Sequence, residues 1–130
     1  MADSTPRARL AAVPEAAVLV VRGDALDPAV LRADAARFVR RYPAWGRYGV
    51  SAFLASDVAE VDVLCETRLE RFATVVVFQR HDLIAAGIEV VPTFRAPHVT
   101  LAATELELLV AGLLACQHET MANGHHQGGD

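Results

Sequence analysis

An arginine, a histidine and a threonine stand close together in the stretch TFRAPHVTLAA, residues 93–103. His98 and Thr100 are two residues apart, so on a strand both project from one face, with Val99 and Leu101 on the other. Imidazole is the side chain whose ordinary titration lies nearest neutrality, which suits it to moving a proton. The hydroxyl of Thr100 can orient a substrate oxygen, and the guanidinium of Arg95 can clamp an anion. The same residues also read as a turn at Pro97 that feeds a buried strand, with His98 hydrogen-bonded locally and Thr100 chosen as a strand former.

Other candidates lie far away in the chain. Arg22-Gly23 closes an apolar run, where a glycine permits a close backbone approach and an arginine can meet an anion or a structural carboxylate. Arg37 and Arg41 lie four apart on one helix face and are followed by Tyr42, Trp45 and Tyr48. Cations interleaved with aromatic rings can hold single-stranded RNA by phosphate contact and stacking; they are also what a solvated helix face looks like. Arg80-His81-Asp82 has the residue types for proton transfer, but consecutive side chains diverge, and Asp82 reads better as a helix cap. His118, His125 and His126 sit in a glycine-rich stretch without the supporting shell of a metal site. No metal and no cofactor is called for. Cys65 and Cys116 lack paired-cysteine spacing and read as reduced core thiols of a cytoplasmic protein.

HVTL at 98–101 resembles the His-x-Thr signature of the two-histidine phosphoesterases, a family that uses two such motifs across a cleft; only one is present. VVRGDAL followed by GVSAFLAS resembles the opening arginine and later serine strand of arginine-type ADP-ribosyltransferases. That resemblance implies a nicotinamide-dinucleotide-using site with Arg22, Ser51 and, as the late glutamate, Glu89. The chain is also similar in type to the toxin components of bacterial toxin–antitoxin pairs, which implies an RNA or nucleotide substrate and an antitoxin-like protein partner.

The formal charge of the 130 residues is −4, so the molecule as a whole is not built to blanket a phosphate backbone. Yet residues 22–48 hold six arginines against three aspartates, which leaves room for a local basic face. All twelve basic residues are arginine, so lysine-based phosphate loops and Schiff bases are excluded. No apolar run approaches the ~20 residues of a membrane span.

Residues 1–14 read as a flexible leader, 15–120 as a single globular domain and 121–130 as a flexible tail. Strands are expected at 16–23, 46–56, 72–78 (in a central position), 88–94 and 98–103, the fourth stopped or placed on an edge by Pro92. Helices are expected from Pro28 behind an Asp27 cap, after Asp57 with Glu60 completing a reciprocal cap, briefly before Gly87, and after a Thr104–Glu107 capping box. The fold class is α+β, a mixed sheet of four to five strands with helices mainly on one face. The leading functional expectation is an enzyme acting on RNA or a nucleotide phosphate, with His98, Arg22 and Thr100 catalytic and Arg95, Arg37, Arg41 and Ser51 binding substrate. The competing one is a non-catalytic homodimeric interaction or regulatory module, joined through an exposed strand or the apolar last helix, LELLVAGLLAC.

Overall fold

The computed structural model describes residues 13–126. Of the expected leader, residues 1–12 lie outside this range, as do residues 127–130 of the expected tail. Val13 already packs against the core, and the Pro14 carbonyl accepts a bond from the Arg80 guanidinium at 2.8 Å.

The elements are β1 (Leu19–Gly23), α1 (Pro28–Arg41), a single helical turn (Pro43–Trp45), β2 (Tyr48–Ala55), α2 (Val58–Thr67), β3 (Thr74–Gln79), α3 (Arg80–Ala85), β4 (Glu89–Pro92), β5 (His98–Ala103), α4 (Leu106–Ala115) and β6 (His118–Ala122). They form one sheet of six strands in the order β4-β5-β2-β1-β3-β6, antiparallel at every step. The expected mixed sheet of four to five strands is thus corrected in both direction and number. Hydrophobic pattern marks which side chains go inside; it does not say which way a strand runs beside its neighbour.

Alternation along the strands divides the core between two faces. Val20, Ala52, Leu54, Val76, Phe78, Val99 and Leu101 meet Leu31 and Ala35 of α1, Leu83 of α3, and Leu109, Val110 and Leu113 of α4. On the other face, Val21, Ala55 and Val75 meet Val61, Leu64 and Cys65 of α2, with Leu69. Three helices on one face and one on the other explain why TVVVFQ has no polar alternation, since both of its faces are covered. β3 is internal, though only because β6 flanks it.

Local signals set most helix ends. The Asp27 carboxylate accepts from the Ala29 and Val30 amides, with Pro28 at the first helical position. Asp57 accepts from the Glu60 amide, and Glu60 reaches back one residue further than a standard box, to the Ser56 amide. Gly87 is left-handed at φ 85° behind α3. Two expected caps are absent. Asp82 lies inside α3 beside His81, and α4 begins at Glu105 without a side-chain cap, because Glu107 turns away to bind Arg32 through both oxygens at 2.8 and 3.0 Å.

Residues 121–126, the described part of the expected tail, continue the fold. β6 runs to Ala122, and the buried Asn123 amide donates to the carbonyls of Cys65, Leu69 and Phe72 at 3.0–3.1 Å. Cys65 and Cys116 are both free and buried, and burial pushes both thiols upward. No helix among the described residues is long and apolar enough to cross a membrane.

Candidate functional site

The sheet opens between β1 and β2. These strands pair only where Leu19–Val21 meets Phe53–Ala55. Beyond that, Arg22 and Gly23 pair with β3 alone, while residues 48–52 of β2 pair with β5 alone. Arg22 spans the opening. One guanidinium nitrogen donates to the Ser51 carbonyl at 3.0 Å, and another to Asp34 Oδ2 of α1 at 2.7 Å. Two glycines let the walls close on this gap. A Cβ at Gly23 would overlap the Phe72 ring, and one at Gly49 would lie 2.5 Å from the Thr100 methyl and 3.0 Å from the Phe38 ring.

A cavity of about 780 Å³ fills the opening. Arg22, Arg37, Arg41, Arg68 and Arg71 line it against Asp24 and Asp34, a formal excess of three positive charges in a chain whose total is −4. Low-dielectric walls focus such a field. Three of the arginines lie over rings of the same wall: Arg41 over Tyr42 at 5.5 Å, Arg68 over Phe53 at 4.8 Å and Arg71 over Phe72 at 4.8 Å. Phe53 and Tyr42 belong to a continuous chain of edge or tilted ring contacts, with Phe72 apart from it. Phe53 meets His98 at 5.2 Å, His98 meets Phe94 at 5.0 Å, Phe94 meets Tyr42 at 6.0 Å and Tyr42 meets Phe38 at 5.0 Å. Phe94 holds its place with φ 58°, a left-handed conformation that costs energy in a bulky residue.

His98 enters this wall from the buried start of β5. Its Nδ1 and the Thr93 hydroxyl are 2.9 Å apart, and the same hydroxyl is 2.8 Å from Thr100 Oγ1. That leaves Nε2 as the ring nitrogen available to the cavity. Burial pushes the imidazole down to about 4; the Thr93 carbonyl opposes this, and the positive charge of Arg68 adds to it. His98 is therefore neutral at pH 7, able to accept a proton or a hydrogen bond but holding no second proton to give.

The structure thus brings Arg22, Arg37, Arg41, Ser51 and His98 to one cavity from four elements, β1, α1, β2 and β5. Two candidates fall outside it. Arg95 is exposed in the loop before β5 and does not line the cavity, and Thr100 has no exposed surface, its hydroxyl spent on Thr93. The adjacent-strand alternation placed Thr100 on the correct face, but Gly49 and Phe38 cover that face one step further along. Glu89 binds Arg47 at 2.6 Å on the edge strand, away from Arg22 and Ser51, so the transferase-like trio is not assembled. Trp45 stacks under Arg47, outside the cavity. Asp34, Phe53, Arg68, Arg71, Phe72, Thr93 and Phe94 belong to the site and carried no motif; only the tertiary contacts identify them.

Comparison with known families, with characterised proteins and with solved structures finds no match.

A second cavity of about 570 Å³ is lined by Leu19, Val77 and Met121 with Asp82 and Glu119, and its carboxylates give it the wrong sign for phosphate. On the surface, ligand atoms of Asp62, Glu66 and His125 lie within 4.8 Å of one another, and none of these residues lines the first cavity. The last helix, offered as a dimer contact, buries Leu109, Val110 and Leu113 and leaves Leu108 and Leu114 a little over one-third exposed.

Proposed function

We propose that the cleft between β1 and β2 binds the phosphate and ring of a nucleotide, free or at the end of an RNA. One observation carries this reading. The same cavity wall holds both an excess of guanidinium groups and a continuous chain of rings; two of the arginines lie over rings of that chain and a third over Phe72. Guanidinium groups recognise phosphate oxygens, and π-faces recognise bases without regard to sequence. A volume of about 780 Å³ suits a ligand of one nucleotide.

Calorimetry with AMP and with a short 5′-phosphorylated oligonucleotide tests it. Both should bind, and Arg68→Gln, at an exposed position over Phe53, should weaken both about tenfold, the value of one charge-assisted contact. Absence of binding at millimolar concentration ends this reading.

A catalytic reading rests on His98, which lines the same cavity as the arginines and feels the charge of Arg68. With its proton affinity depressed, His98 would serve as a base while the arginines stabilise an oxyanion.

A further inference from the structure

The five arginines of the cavity are not equivalent. Arg22 and Arg37 share one carboxylate: Asp34 Oδ2 lies 2.7 Å from Arg22, and Asp34 Oδ1 lies 3.3 Å from Arg37. Arg41, Arg68 and Arg71 have no carboxylate partner among the described residues; they lie over Tyr42, Phe53 and Phe72 instead. They stand on both sides of the opening, Arg41 at the end of α1 and the other two after α2. Cation–π contact holds a guanidinium in place without neutralising it. With Asp24 and Asp34 set against the five arginines, the cavity keeps a formal excess of three positive charges and expects more than one negative charge in return.

An internal RNA phosphodiester carries a single charge, and its chain must leave the site in both directions. A terminal phosphate monoester carries about 1.5 to 2 negative charges at pH 7, its second proton leaving near pH 6, and has three free oxygens. In a field of fixed positive sign the interaction grows with ligand charge, so the monoester gains more than the diester from every uncompensated arginine. The closed end of the ligand also suits a hollow the size of one nucleotide. From these features we infer that the cleft selects a terminal phosphate monoester, a nucleoside monophosphate or a 5′-phosphorylated RNA end, over an internal phosphodiester. Asp34 sets how strong that selection is, because it removes one charge from the wall. The inference rests on the nucleotide reading of the cleft.

The probes are AMP and its methyl ester, which differ by one methyl group and one charge. At pH 8 AMP should bind at least about tenfold more tightly than the ester, and the gap should close as the pH falls below about 6 and AMP takes up its second proton. Arg71→Gln, exposed and therefore compatible with folding, should weaken AMP more than the ester and narrow the gap. Asp34→Asn should tighten AMP more than the ester and widen it; should loss of the Arg22 partner unfold that variant, the Arg71→Gln comparison decides alone. Equal affinity for the two probes, or a gap that Arg71→Gln leaves unchanged, overturns the inference while the nucleotide cleft stands. Binding of an unphosphorylated oligonucleotide as tight as that of its 5′-phosphorylated form does the same. Failure of every one of these ligands to bind removes the cleft reading itself.

Discussion

His98 occupies a position in which almost every neighbour favours the neutral ring. Phe53 and Phe94 press their edges or faces on it and Arg68 contributes positive charge, while the bond to Thr93 works the other way. A group whose folded pKa is depressed binds its proton less readily folded than unfolded, so stability is complete above the ordinary value of 6.5 and is lost as the pH falls through about 4. Proton NMR of the ring should give a midpoint near 4, and acid should cost on the order of 3 kcal/mol across that window. His98→Phe should flatten the acid limb of a urea-unfolding series, and a ring that titrates near 6.5 would place it in open water rather than in the aromatic wall. The sequence pointed to this histidine by type and by its strand. It could not show that Thr93 and Thr100 would consume each other's hydroxyls, because that depends on β4 and β5 bringing residues five and seven apart into contact.

At the scale of elements, β6 separates the expected fold from the observed one. HETMA is polar and largely exposed, so it lacks the apolar alternation that marks a half-buried strand. It pairs with β3 over five residues, and Asn123 behind it ties the chain to the loop after α2. That loop carries Arg68, Arg71 and Phe72, so the far end of the chain supports one wall of the cleft. Asn123→Ala removes a buried donor shared by three carbonyls and should cost about 2 kcal/mol in urea unfolding, with weaker AMP binding as the wall loosens. An unchanged unfolding midpoint would mean that water replaces the amide there. The helix starts at Asp27 and Asp57, the stop at Gly87 and the edge position of Pro92 were legible because each depends on residues within one turn. The Thr104 box was not realised, since Glu107 met Arg32 from 75 residues away.

Across the whole molecule, an acidic chain carries a basic hollow, and the two signs should be separable by salt. Raising ionic strength from about 0.01 M to about 0.15 M shortens the screening length from about 30 to about 8 Å. AMP affinity should then fall about tenfold, as followed by calorimetry, whereas a ligand held by ring stacking alone would keep its affinity. Composition and local pattern by themselves determined an α+β chain rich in buried strands, the absence of lysine chemistry, most helix starts, and a pool of candidate arginines with one histidine among them. Tertiary structure alone decided that every strand pair runs antiparallel, that β1 and β2 part after three residue pairs, and which arginines keep a carboxylate. The division has a physical cause. Burial preference and capping are properties of neighbouring residues, while the charge of a cavity is the sum over side chains that only long-range strand pairing brings face to face.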